Sequence, residues 1–129
     1  MAQDYRDLVV WQKAIDLTVR IYQLTRAFPK DEMYGLISQM RRASVSVASN
    51  IAEGRGRLSS AEFRQFLGLA QGSVYELQTQ LIVVKRLGLA SGNTLTETGL
   101  LSNEVSKMLS SFIQTLNSTA GKKKLRARS

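Results

Sequence analysis

The residues of this sequence with the clearest chemistry are arginines, which stand at the two ends of the segment RRASVSVASNIAEGRGR. Arg41 and Arg42 begin the segment, and Arg55 and Arg57 end it. Arginine carries a positive charge, which binds the phosphates of a nucleic acid. We therefore predict that these four arginines contact the phosphates of RNA or DNA.

A second basic group lies at the C-terminus, where residues 118–129 contain no acid and one large apolar side chain. Its cations are Lys122, Lys123, Lys124, Arg126 and Arg128. Such a segment buries too little apolar surface to offset the entropy lost on ordering it, so we predict a domain at 1–117 and a disordered tail at 118–129. Two interpretations of the tail stay open: an arm that binds phosphates, and a solubilising end that binds nothing specific.

The composition argues against catalysis and against a cofactor. The chain has no cysteine and no histidine, which excludes a zinc site built on thiolates or imidazoles and a histidine general base. Glu53, Glu62 and Glu76 are too scattered in the sequence to indicate a metal site, so a metal-dependent nuclease is a hypothesis kept only for testing. We expect a non-enzymatic protein with no cofactor and no metal.

The hydropathy and the first residues give an expectation for location. No apolar run approaches the roughly 18 residues that span a bilayer. The opening MAQDYRD lacks the basic and apolar regions of a signal peptide. We expect a cytoplasmic protein with a net charge of +8 and no membrane partner.

Helical periodicity places these residues on four segments. The apolar spacing predicts helices at about 7–27, 31–53, 59–88 and 96–117. Phe28 precedes the single proline and marks a boundary, while Ser59 and Glu62 form a capping box before the third helix. Because the connections are short, consecutive helices are expected to be antiparallel neighbours. The predicted fold is all-α, an up-down-up-down antiparallel four-helix bundle.

The second helix carries polar residues at the edge of its core face. Arg42 and Glu53 share one face, and Asn50 lies between that face and the core. An inward asparagine without a hydrogen bond costs about 1–3 kcal/mol, and Glu76 on the third helix is the expected partner of Asn50 or Arg42. Two interpretations stay open for these four residues: a structural polar network, and part of a nucleic-acid site.

The first helix has more apolar surface than one core needs. Its first stripe consists of Val10, Ala14, Leu17, Ile21 and Leu24. Its second stripe consists of Leu8, Trp11, Ile15 and Tyr22. One bundle core cannot bury both stripes, so the sequence predicts a homo-oligomer.

Gly68 and Gly72 lie one turn apart in the third helix, where each glycine costs about 1 kcal/mol relative to alanine. We interpret the pair as a place where another backbone comes close. The neighbour is expected to be the stretch of small residues on the second helix, Ala43, Ser46, Ala48 and Ala52.

Two long stretches, YGLISQMRRASVSVASNIAEG and GRLSSAEFRQFLGLAQGSVYELQTQL, closely resemble the four-helix bundle family of ribosomal RNA intervening-sequence proteins. DLVVWQKA and FPKDEMYGL resemble it too, so the resemblance covers about residues 7–117. The accessory variability proteins of diversity-generating retroelements look like relatives. The chain departs from the family pattern at Ala48, where proline is common, and at Gln71, where arginine is common.

The resemblance implies a ring-like homopentamer without established catalytic activity, whose intervening-sequence members are encoded inside ribosomal RNA genes and have an obscure role. The retroelement relatives bind a reverse transcriptase and nucleic acid through basic surfaces. The missing arginine at Gln71 is expected to weaken such a surface on the third helix. Two hypotheses follow: an oligomeric protein associated with RNA or DNA, and a protein–protein scaffold that docks a nucleic-acid enzyme such as a reverse transcriptase.

Overall fold

The computed structural model describes the backbone of residues 4–128 and the side chains of residues 4–118. Its long helices are α1 (Val9–Thr25), α2 (Ser38–Arg55), α3 (Ser60–Leu87) and α4 (Gly92–Arg128). Each packs against two others, in the cyclic order α1, α2, α3, α4, and the described residues contain no strand. The predicted all-α four-helix bundle is confirmed.

Contacts between neighbouring helices give the helix directions. Ser46 of α2 contacts Ser73 of α3, and further along α2 Gly54 lies against Phe66, which comes earlier in α3. The contacts of α2 thus move backwards along α3, as they must between antiparallel helices. The side-chain contacts of α1 with α2, α3 with α4 and α1 with α4 show the same reversal.

The two apolar stripes of α1 have different surroundings. All residues of the first stripe are buried, as predicted. In the second stripe Leu8 is buried and Trp11 is half-buried, whereas Ile15 and Tyr22 are 37% and 36% exposed. Val19, on the same outer side, is 50% exposed. The bundle therefore leaves an apolar face of α1 uncovered.

The third helix follows its sequence pattern closely. The apolar residues at steps of three and four form a seam that the sequence spacing predicts to face the core, and all of them are buried: Phe63, Leu67, Ala70, Val74, Leu77, Leu81 and Val84. Ser59 Oγ accepts a hydrogen bond from Glu62 N at 3.2 Å, which confirms Ser59 as the N-cap, whereas the Glu62 side chain does not form the second hydrogen bond of the predicted capping box. Gly88 ends the helix in the left-handed conformation, with φ of 69°, which glycine adopts without steric cost.

The fourth helix has a more polar buried face than its apolar spacing predicted. The stripe that the sequence spacing predicts consists of Leu101, Val105, Met108, Phe112 and Leu116. Leu109 lies outside this stripe but is fully buried, and Thr98 and Ser102 are buried beside the core. Both hydroxyls donate to carbonyls of their own helix, Thr98 to Thr94 O at 2.7 Å and Ser102 to Gly99 O at 2.7 Å. These local hydrogen bonds satisfy the hydroxyls, so the two polar residues can replace apolar ones.

The end of α4 differs from the prediction. The sequence placed the helix end near Asn117 and a disordered segment after it, but the helix continues to Arg128. Residues 118–128 contain no proline, and eight of the eleven are lysine, arginine, alanine or leucine, which favour helices. Cations are also favourable near a helix C-terminus. The side chains of residues 119–129 lie outside the described residues. The division of the chain at residue 117 and the role of the tail cations therefore stay predictions.

The prediction that the backbone of the second helix comes close to Gly68 and Gly72 is wrong. Both glycines are exposed, and a Cβ at either position would have no atom of a neighbouring element of the described chain within 4 Å. The close approach lies at Gly54, where a Cβ would stand 2.6 Å from Phe66 Cβ and 3.0 Å from Phe63 Cδ1. Gly54 thus lets the end of α2 pack directly against the start of α3.

The connection between α1 and α2 is ordered but not α-helical. A 3-10 turn at Lys30–Glu32 leads into a π turn at Met33–Ile37. Within it Gly35 has φ of −106° and ψ of −108°, outside the helical region, so the helical path breaks there. For this reason α2 begins at Ser38 rather than at residue 31, where the apolar pattern placed its start.

Candidate nucleic-acid interface

Arg41 is held in position by side chains of α1. Its Nε donates a hydrogen bond to Thr25 Oγ1 at 3.0 Å, and its guanidinium carbon lies 4.6 Å from the centre of the Tyr22 ring. Thr25 is buried, and its hydroxyl donates to Ile21 O at 2.8 Å. The guanidinium is therefore oriented in advance. Its two terminal nitrogens make no hydrogen bond or ion pair with the described residues.

A groove of about 660 Å³ surrounds Arg41, between α1, the π turn and α2. Arg42 also lines it, and none of its lining residues is acidic. Its walls include Tyr22, Met33 and Tyr34, of which Tyr34 is 96% exposed. The groove thus combines two cationic side chains with a solvent-exposed aromatic ring.

The other two predicted arginines lie at the far end of α2, beside α3. The Arg55 guanidinium carbon lies 5.7 Å from the centre of the Phe63 ring, and that of Arg57 lies 4.6 Å from the centre of the Phe66 ring. Neither forms an ion pair within the described residues. Stacking on a ring orients a guanidinium while leaving its edge free for an anion.

The two arginine pairs do not form one patch. At 1.5 Å per residue, Arg42 and Arg55 are about 20 Å apart along α2. Each pair is therefore a separate anchor point. A nucleic acid would have to extend along the bundle to reach both.

The predicted polar network comprised Arg42, Asn50, Glu53 and Glu76. In the structure, Asn50 Nδ2 instead donates to Ser46 O at 2.9 Å and to Ser46 Oγ at 3.0 Å. Ser73 Oγ of α3 donates to the same Ser46 Oγ at 2.9 Å, which links the two helices. The other three members are exposed and make no side-chain hydrogen bond or ion pair within residues 4–118. Asn50 is satisfied one turn away on its own helix, so the expected pairing with Glu76 is wrong.

Gln71 lies at the interface of α3 and α4 rather than on a basic surface. It is 7% exposed, and its Nε2 donates to Ser106 O at 2.9 Å and to Ser110 Oγ at 2.8 Å. Its Oε1 is buried without a hydrogen-bond partner. Position 71 is therefore a packing position between α3 and α4 in this chain. The expectation that a missing arginine here weakens a basic surface of α3 stays a prediction.

The acidic residues are paired with cations or separated from one another. Hydrogen bonds from Arg6 lower the pKa of the exposed Asp4 carboxyl, just before α1. Glu97 and Glu104 of α4 form ion pairs with α1. Among the described residues, no three acidic side chains come together as metal ligands.

No helix in the described part of the chain is long and apolar enough to cross a membrane.

Two residues of this surface were not predicted from the sequence. Thr25 supports Arg41 only because α1 and α2 are antiparallel, and nothing in its local sequence shows this. For Tyr34 the sequence holds only a weak indication of exposure. This aromatic residue comes just before Gly35 and does not belong to the apolar stripe of α2, which begins at Leu36. The tail cations, Lys122, Lys123, Lys124, Arg126 and Arg128, lie outside the residues whose side chains are described.

Comparisons with known proteins give a family and a similar structure. A family model described as 23S rRNA-intervening sequence protein matches residues 6–111. The chain is also similar to the crystal structure of a protein with unknown function from the S23 ribosomal protein family of Bacteroides thetaiotaomicron VPI-5482. The TM-score is 0.76 at 25% sequence identity, and the similarity covers 82% of this chain and 96% of that chain. No curated protein matches the chain.

Proposed function

Because this chain belongs to the 23S rRNA-intervening sequence protein family, we propose that it is a non-enzymatic, oligomeric protein that associates with RNA or DNA through its basic surfaces. The observation that carries the proposal is Arg41, whose half-buried guanidinium is fixed by Thr25 and Tyr22. No carboxylate of the described residues neutralises it. The relation to the retroelement accessory proteins stays a prediction.

Contacts of this kind recognise a phosphate backbone and not a base sequence. Each phosphate that a lysine or arginine neutralises releases condensed counterions, so the affinity falls as the salt concentration rises. We expect weak, sequence-independent and salt-sensitive binding to RNA or DNA in the cytoplasm.

Neutralising Arg55 and Arg57 together tests this surface. Arg55→Gln/Arg57→Gln is expected to reduce the slope of log affinity against log salt by about 1 to 2, because each lost phosphate contact removes close to one released ion. Lys13→Gln/Arg20→Gln is the matched control, since it removes the same charge from groups already paired with carboxylates. Fluorescence anisotropy of a labelled RNA across a salt series measures both.

The control double variant is expected to keep nearly the full slope. Equal losses in the two double variants would mean that only net charge matters, and the arginine surface would have no special role. Circular dichroism confirms that both variants fold, because Arg55 and Arg57 also stack on aromatic rings.

The uncovered face of α1 supports the assembly part of the proposal. Ile15 and Val19 are 37% and 50% exposed there, and both are aliphatic. A second copy of the chain would remove this surface from water, which favours association by about 25 cal/mol per Å² of apolar area. We propose a homopentamer, with the number of subunits supplied by the family resemblance.

Ile15→Glu is expected to shift the assembly towards monomer at micromolar concentration, because a buried carboxylate in an apolar interface is unpaired. Gln114→Glu is the control, since it adds the same charge at an exposed polar position of α4, away from this face of α1. Multi-angle light scattering gives the mass of each variant. A wild-type protein that is already monomeric at this concentration would contradict the proposed assembly.

A scaffold that docks a nucleic-acid enzyme such as a reverse transcriptase is the second candidate function. The observation that favours it is the last two turns of α3, where the neighbouring residues Ile82, Val83 and Leu87 are 56%, 40% and 62% exposed. Exposed aliphatic residues on one helix are typical of a surface that binds protein. This candidate replaces the first if the protein retards neither RNA nor DNA at low salt.

A further inference from the structure

The groove around Arg41 has the parts that a single nucleotide needs. We infer that it binds a segment of single-stranded nucleic acid, with a phosphate on Arg41 and Arg42 and an unstacked base on Tyr34. This inference rests on the proposed association with RNA or DNA. It adds where the nucleic acid binds and that the bound form is single-stranded.

The phosphate side of the site is set by Arg41. Its Nε is occupied by Thr25 Oγ1 and its face by the Tyr22 ring, so the two terminal nitrogens form the free edge of the fork. That edge matches two oxygens of one phosphate. Arg42, on the same groove, adds a second positive charge without a paired acid in the described residues. An anion is the complementary ligand.

The base side of the site is set by Tyr34. Its side chain is 96% exposed, although an aromatic ring in water leaves a large apolar area uncovered. The turn at Met33–Ile37, whose helical path breaks at Gly35, presents it. Met33 beside it is 45% exposed and lines the same groove. A flat base stacked on the ring would cover this surface, as in proteins that bind single strands.

The ring distinguishes single strands from duplexes. In a duplex each base is already stacked between its neighbours, so its face cannot reach Tyr34 unless the helix opens. In a single strand the bases turn out freely, and stacking tolerates any base because every base has a flat face. The groove therefore favours single strands without reading their sequence.

Tyr34→Ala tests the base contact. The variant is expected to bind a labelled single-stranded oligouridine about fivefold to a hundredfold more weakly than wild type, whereas binding to a duplex of equal length is unchanged. Tyr34→Phe keeps the ring and is expected to bind as wild type does. Because Tyr34 lies outside the core, neither replacement is expected to disturb folding, which thermal unfolding confirms.

Two further probes separate the phosphate from the base. An abasic strand of the same length offers phosphates without bases, so Tyr34→Ala is expected to bind it as wild type does. Arg41→Lys keeps the positive charge but loses the planar fork of two terminal nitrogens. It is expected to weaken binding to both the oligouridine and the abasic strand. Thermal unfolding of Arg41→Lys shows whether the loss of the contact with Thr25 affects stability instead.

The outcomes separate this inference from the proposed function. If wild type binds single strands and duplexes alike and Tyr34→Ala loses nothing, the site is wrong while the proposed function stands. If wild type binds no nucleic acid at all, the proposed function fails first. If Tyr34→Ala instead changes the oligomer mass, the groove is an interface between copies of the chain, and the inference is overturned.

Discussion

Gly54→Ala is expected to destabilise the bundle by about 1–3 kcal/mol, the usual effect of forcing an extra carbon into a closely packed site. The added Cβ would stand 2.6 Å from Phe66 Cβ and 3.0 Å from Phe63 Cδ1, below any normal contact. Phe66 Cβ is tied to the backbone of α3 and cannot rotate away. Relief therefore requires the end of α2 to move away from α3.

Gly68→Ala is the matched control for that variant. Gly68 is exposed in the interior of α3, and a Cβ there would have no neighbouring atom of another described element within 4 Å. Alanine is favoured over glycine inside a helix by about 0.5–1 kcal/mol, so this variant is expected to be more stable than wild type. Urea denaturation at one fixed protein concentration measures both, since oligomerisation makes stability depend on concentration. Similar stabilities for the two variants would contradict the observed packing at Gly54.

Removing the basic tail is expected to have the largest effect on nucleic-acid binding. If all five tail cations contact duplex phosphates, truncation after Asn117 makes the negative slope of log affinity against log salt shallower by about 4 to 5. An oligomer presents several tails together, so the loss of affinity is multiplied when they bind one strand jointly. The truncated chain keeps every core residue found among the described side chains, so it is expected to stay folded.

Replacing the five cations with glutamine in the full-length chain separates charge from length. This variant is expected to match the truncated protein in both affinity and slope. If it binds as wild type does while truncation abolishes binding, the effect of the tail is not electrostatic. If neither change alters binding, the solubilising interpretation of the tail is correct, and binding depends on the arginines of the bundle.

Most of the fold could be predicted because it depends on local patterns. The first stripe of α1 and the seam of α3 repeat every three or four residues, and burial follows that repeat. The glycines show the limit of such patterns. A glycine in the sequence shows that a side chain is missing but does not show which residues face it. For this reason the spacing of Gly68 and Gly72 predicts a close approach, whereas the structure has the close approach at Gly54.

The candidate site was predicted in part. The four arginines were identified by residue type, but their separation into two anchor points depends on the length of α2. The support of Arg41 by Thr25 depends on helix pairing, which the sequence does not specify residue by residue. Asn50 donates to Ser46, one turn away, because a local hydrogen bond needs no other helix.

The central claim is that this bundle binds nucleic acid through phosphate contacts. The most direct measurement is the affinity of the full-length protein for labelled single-stranded and double-stranded RNA and DNA across a salt series. The account predicts complexes at low salt and a log affinity that falls linearly with log salt, with a steeper slope than the truncated chain shows. Absence of any complex at the lowest salt, or an affinity that does not change with salt, would contradict it.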